Sequence, residues 1–128
     1  MRRLIIIPVL FLTVLFSSPS YAKWTALATG SVGTFYVDVK RIRIVDGYVY
    51  IWELVDFINP NKWGERSVQN YKQIDCKLFR YKDLRQLQYK EPMGGGEIRN
   101  TINTPDKDWT YPPPSSVREY ILKLTCRS

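Results

Sequence analysis

The chain has 128 residues, no histidine, two cysteines, and 19 Lys and Arg against 12 Asp and Glu, a formal charge of +7. That length accommodates one small domain once any leader is removed. The composition excludes imidazole chemistry, and cysteines at 76 and 126 fit neither a Cys-x-x-Cys redox motif nor a zinc site, which needs more ligands.

In chain order, Arg2 and Arg3, the apolar run Leu4 to Phe16, and the small or polar residues Ser17 to Ala22 form the three regions of a secretory signal. The apolar run is well short of the roughly 20 residues a membrane-spanning helix needs. Residues 1–22 are therefore expected to be a cleaved signal peptide, and residues 23–128 an exported domain that is periplasmic, secreted or associated with the cell surface. No cysteine adjoins the cut, so no lipid anchor and no stable membrane insertion are expected. Loss of Arg2 and Arg3 lowers the formal charge to +5. Nucleic acid rewards clustered cations among aromatics, but an exported protein rarely meets it. A solvated basic face, or attraction to anionic cell surfaces and glycans, is the simpler reading. In an oxidising compartment Cys76 and Cys126 are expected to pair, and closing so long a loop contributes about 4 kcal/mol in the chain-entropy account.

Trp24 to Thr29 and Thr34 to Val39 alternate as strands around the turn Gly30-Ser31-Val32-Gly33 and predict a first hairpin. Ile42 and Ile44 lead through Asp46-Gly47, a strong hairpin signal, into Tyr48 to Phe57. This YVYIWELVDF run is the longest apolar and β-branched stretch after the leader. One face carries Tyr48, Tyr50, Trp52 and Leu54, and the other carries Val49, Ile51, Val55 and Phe57. A strand apolar on both faces is expected to be central and covered on both sides. Asn59 to Gly64, with Pro60, is turn chemistry.

Ser67 to Tyr81 reads as one long strand with Val68, Ile74, Cys76 and Leu78 on its apolar side, and Gln69, Tyr71, Gln73 and Asp75 on a wetter one. Leu84 to Lys90, rich in Gln and charge, predicts a sixth and last strand at a sheet edge. From Glu91 to Ser115 the pattern dissolves into Pro, Gly, Asn and Thr. The triple glycine at 94–96 lacks the Gly-Lys-Ser/Thr of a phosphate loop, and Asp106 with Asp108 lacks the further oxygen ligands of a cation site. Ser116 to Glu119 is a capping box that starts a helix, with Val117, Tyr120, Ile121 and Leu124 on the predicted packing stripe. Cys126 falls off that stripe, so reaching Cys76 is expected to require unwinding at the helix end.

Several of these residues together resemble the bacterial surface-adhesin protein E family. They are Trp24, Tyr36-Val37-Asp38, the Val49 to Leu54 strand, Ser67 leading through Ile74-Asp75-Cys76, Trp109 before a Pro-Ser helix start, and the final Cys126. The likeness spans essentially the whole mature chain. It implies a six-stranded antiparallel sheet whose concave face holds a C-terminal helix tied by a disulfide. For the best-known member it also implies a surface location, binding of laminin, vitronectin and plasminogen, and a tendency to dimerise. The lipid-attachment cysteine of that member is missing here.

The expected fold is thus α+β, mainly β, and the expected function is non-enzymatic: an adhesin-like protein binding host matrix or plasma proteins. The alternative is a periplasmic accessory or inhibitor protein that binds an envelope or secreted protein. Catalysis has little support, since no Ser lies in a nucleophile elbow and Glu53 and Asp56 point to opposite faces. Neither carboxylate serves the other as a glycosidase partner, and pairing with a nearby Arg or Lys accounts for one of them. No cofactor and no metal are expected. The expected binding or dimer surface comprises Tyr48, Tyr50, Trp52, Trp63, Tyr71 and Trp109, on the sheet face away from the helix. Either a second copy or a macromolecular ligand covers it, or Trp63, Tyr71 and the loop aromatics fold over it as a second layer of core.

Overall fold

The structure is a computed structural model that describes residues 24–127; the predicted signal peptide lies outside the described residues. Seven strands and one helix follow in order: β1 Trp24–Thr29, β2 Gly33–Asp38, β3 Arg43–Val45, β4 Tyr48–Phe57, β5 Ser67–Asp75, β6 Arg80–Tyr89, β7 Ile98–Ile102 and α1 Val117–Arg127. The strands make one antiparallel sheet in the order β1-β2-β4-β5-β6-β7. β3 adds to the first half of β4 where β2 leaves off, pairing Arg43 with Tyr50 while β2 reaches Val37 opposite Glu53. A single 3-10 turn, Val39–Arg41, makes that step, and the Asp38 side chain caps it by accepting from Lys40 N–H at 3.1 Å.

β4 is central and covered on both faces, as its two-sided apolar pattern predicts; Ile51, Leu54 and Val55 are all buried. The Asp46-Gly47 hairpin is present with φ of 52° and 82°, the left-handed pair a tight two-residue turn requires. At the other end of the strand, β2 starts hard against β4. A Cβ on Gly33 would lie 2.0 Å from the Asp56 carbonyl oxygen.

Three strand expectations are corrected. Ser67 to Tyr81 is not one strand, because β5 ends at Asp75 and residues 76–79 form a turn in which Phe79 has φ of 56°. Asp75 holds that turn by accepting from Lys77 N–H at 3.1 Å and Leu78 N–H at 3.2 Å, which leaves Leu78 exposed instead of inward-facing. The strand read as Leu84 to Lys90 begins at Arg80 and is not an edge, since β7 pairs with Gln86 to Tyr89. A bulge opposite Tyr71 and Lys72 inserts Leu84 and reverses the alternation on which the shorter reading rested. The stretch 91–115 is only partly irregular: it contributes β7, the actual edge, and then returns along the start of β6 through a bridge between Tyr81 and Thr110.

The helix starts as its capping box predicts. Ser116 Oγ accepts from Glu119 N–H at 3.1 Å, while the Glu119 carboxylate accepts from Ser115 N–H at 3.0 Å. Its packing face is rotated from the predicted stripe. Ile121, Leu122 and Thr125 are buried and Tyr120 is 49% exposed. Ile121 packs with Phe35, Val55 and Val68, and Leu122 with Val37, Val49, Ile51, Ile74 and Tyr81. Burying two such side chains contributes about 1.5 to 3 kcal/mol each. The rotation brings Cys126, one turn after Leu122, over the sheet, so the Cys76–Cys126 disulfide forms without unwinding the helix.

Candidate functional site

Antiparallel pairing puts residues that face each other on one side of the sheet, and two rows cross the face opposite the helix. One runs Arg43, Tyr50, Gln73, Lys82 over β3, β4, β5 and β6; the next runs Trp52, Tyr71, Arg85. With strands about 4.8 Å apart, Arg43 and Lys82 bracket a strip roughly 14 Å wide. The rings along it touch. Tyr71 stacks on Tyr50, at 6.0 Å between centroids, and meets Trp52 in a tilted contact at 4.9 Å. Tyr48 stacks on Trp109 at 5.7 Å, because the bridge at Thr110 carries the loop back across β6.

Cations cover the remaining ring faces. The Arg41 guanidinium lies 5.2 Å from the Trp52 centroid and 6.0 Å from that of Trp24. Arg43 lies 6.0 Å from Tyr50 and donates to Tyr71 Oη at 3.2 Å, while Gln73 Nε2 donates to Tyr50 Oη at 3.1 Å. Arg80 and Lys82 sit 4.4 Å and 4.8 Å from Trp109. Each such contact is worth about 0.5 to 1 kcal/mol at an exposed site, so the strip is preorganised. Asp38 pairs with Arg41 at 2.6 Å and Asp75 with Arg80 at 2.9 Å. The Asp75 carboxyl is pulled below its usual range: burial works against this, and the Arg80 hydrogen bond and the Leu78 and Lys77 N–H groups outweigh it. Among the described residues, Lys40, Arg43, Lys82 and Arg85 form no salt bridge with any carboxylate. Lys40, Arg41, Arg43, Trp52 and Tyr71 line a groove of about 440 Å³.

Five of the six predicted surface residues therefore meet on one face: Tyr48, Tyr50, Trp52, Tyr71 and Trp109. Of the covers the sequence left open, a loop aromatic is present in part: Trp109 lies against Tyr48, and Arg41 and Arg43 lie against Trp52 and Tyr50. Trp63 is elsewhere. It is 62% exposed and borders a groove with Gln88, Asn100 and Ile102, which belong to the helix-bearing face beyond the helix.

Behind this strip, on the helix side, lies an ion cluster; of the two carboxylates Glu53 and Asp56, it is Glu53 that pairs with Arg118 and Lys72. Glu53 is fully buried in β4. Arg118 Nη1 donates to both its oxygens at 2.6 Å and 2.8 Å, and Asn70 Nδ2 donates at 3.2 Å. Lys72, also fully buried, is 3.9 Å from Glu53, donates to Asp83 at 2.5 Å, and sits 4.4 Å from the Tyr81 ring centroid. Burial alone would raise the Glu53 carboxyl; the Lys72 and Arg118 charges and the two hydrogen bonds prevail and hold it below its ordinary value. Burial would likewise lower Arg118, and Glu53 keeps it raised. Parity could have found Lys72, which shares a strand face with Val68 and Ile74, and the rotated helix explains Arg118. The cluster is closed and internally neutralised, so its chemistry is structural. Among the described residues no group of three His, Cys, Asp or Glu is placed to hold a metal. No described helix is long and apolar enough to cross a membrane.

Three crystal structures of protein E from Haemophilus influenzae share this fold at low identity. Crystal form II has a TM-score of 0.64 at 19% identity, covering 85% of this chain and 91% of that one. The selenomethionine form gives 0.63 at 16%, covering 87% and 92%. The protein from a non-typeable strain gives 0.61 at 19%, covering 86% and 79%. No curated protein matches the sequence. The model of the surface-adhesin protein E family matches residues 24–127, the whole of the sheet and helix described above. The chain belongs to the surface-adhesin protein E family, a family of adhesin-like surface proteins and not a known enzyme family.

Proposed function

We propose that the protein is exported after removal of residues 1–22 and acts without catalysis, docking a host matrix or plasma protein on the cation–aromatic strip of β3 to β6. The observation that carries this is the excess of cations over carboxylates along the strip: Arg41 over Trp52 has Asp38 as its partner, whereas Arg43 beside Tyr50 and Lys82 beside Trp109 have no carboxylate partner among the described residues. A guanidinium has five N–H donors, so one placed beside a ring and using one of them within the chain keeps others to read carboxylates on a partner. Aromatic and Arg side chains also dominate the energetic centres of protein interfaces.

The test is binding of the purified mature domain to a panel of matrix and plasma proteins, beside a cell-envelope extract. Saturable binding to a panel member, weakened by Arg43→Ala with Lys82→Ala, is expected. Binding only to an envelope component would replace the adhesin reading with that of a periplasmic accessory protein, and binding to neither would remove the proposal. Light scattering on the same sample tells whether a second copy occupies the strip.

A further inference from the structure

We propose a second, separate binding site: the groove of about 450 Å³ bordered by Trp63, Gln88, Arg99, Asn100 and Ile102 takes a neutral saccharide. A sugar needs a flat apolar platform for its C–H face and fixed donors and acceptors for its hydroxyls, and the groove supplies both.

Trp63 is the platform; Lys62 Nζ lies 4.6 Å from its ring centroid and occupies one face only. Its turn is held by Asn61, whose Oδ1 accepts from Trp63 N–H at 3.1 Å and Glu65 N–H at 2.9 Å and whose Nδ2 donates to the buried Glu65 carboxylate at 2.9 Å. The indole is thus anchored at its backbone yet 62% exposed. The acceptor comes from a chain of amides that begins at the ion cluster. Ionised Glu53 only accepts, so Asn70 must turn its Nδ2 toward it, at 3.2 Å. Asn70 Oδ1 then accepts from Gln86 Nε2 at 2.7 Å, and Gln86 Oε1 accepts from Gln88 Nε2 at 2.6 Å. Orientation passes along the chain and ends with the Gln88 carbonyl oxygen at the groove. Such a relay polarises each amide in turn. Across the ladder Asn100 pairs with Gln88 in register, and Arg99 adds donors beside it. Among the residues lining the groove Arg99 and Glu65 balance in charge, and Lys62, over the Trp63 ring, lies outside that lining, so the lining itself favours an uncharged ligand over the anionic partner that the opposite strip suits.

The experiment is a glycan array of neutral and sulfated oligosaccharides with the mature domain, followed by titration of the strongest neutral glycan. Expected is binding of a neutral glycan that falls at least tenfold in Trp63→Ala and in Gln88→Leu. Gln86→Leu, which interrupts the relay away from the groove, weakens binding while its Tm shows that it folds. Arg43→Ala with Lys82→Ala leaves glycan binding unchanged, so failure here and failure of the docking strip are told apart. The proposal is overturned if no neutral glycan binds, if Trp63→Ala binds equally well while folded, or if the groove captures only extended peptides along the β7 edge.

Discussion

At the scale of single residues, Glu53 decides how the inner face of the sheet is built. Removing one partner of a buried pair leaves the other charge without compensation, at a cost of about 3 to 5 kcal/mol. Glu53→Ala or Arg118→Ala is therefore expected to cost that much in urea unfolding, with the double variant well below the sum of the two. The pH dependence follows from the same residue. Glu53 and Asp75 both have folded pKa values below their references of 4.5 and 3.8. The unfolded chain thus takes up protons first, and their contribution is complete above pH 4.5 and lost as pH falls through the folded values. Tm is expected to be flat between neutral pH and about 5 and to drop below pH 4, with a shallower drop in Glu53→Gln. Glu53 was legible as a charge inside an apolar strand. Parity places Lys72 on the inner face, but its partners were not legible, because Asp83 and Tyr81 arrive from β6, a strand whose start the sequence blurred.

At the scale of elements, what was legible depended on whether a pattern was local. The Asp46-Gly47 hairpin and the capping box at Ser116 are fixed by neighbours in sequence, and both stand. The helix stripe was misjudged because Arg118 and Thr125 look polar. Arg118 is turned inward by Glu53, and the Thr125 hydroxyl donates to the Ile121 carbonyl at 2.8 Å. The turn at 76–79 was missed because Cys-Lys-Leu-Phe carries no Gly or Pro; Asp75 supplies the turn by capping two N–H groups. Replacing Cys76 and Cys126 with Ser removes the tether from α1 and is expected to cost about 2 to 4 kcal/mol, a Tm loss of roughly 10 to 20 °C. Gly33→Ala is expected to cost about 2 to 3 kcal/mol, since its Cβ meets backbone that cannot yield. Gly47→Ala, strained in φ but in open space, costs about 1 kcal/mol. Thermal unfolding of both variants checks the order.

At the scale of the whole molecule, the sheet divides its labour by face. The helix, the disulfide and the ion cluster consolidate one side, and this leaves the other free to gather aromatics from β4, β5 and the returning loop with cations from β3 and β6. The aromatic half of that surface was legible from alternation in Tyr48 to Phe57. Its cationic half was not, because Arg41, Arg43, Arg80 and Lys82 come from segments far apart in sequence that only strand order brings together. Family membership supplies the surface-adhesin context, while the 16–19% identity to Haemophilus influenzae protein E carries the fold alone. The most direct test of the docking strip is the salt dependence of binding to the matrix or plasma protein that the mature domain retains best, for the native domain and for Arg43→Ala with Lys82→Ala. Exposed charge pairs are screened over about 8 Å at physiological ionic strength. Native binding is expected to weaken steadily with salt, and the variant to be weaker at low salt and less sensitive to it, because Lys40 and Arg85 remain. Equal affinity and equal salt dependence in the two, with both folded, would contradict this expectation.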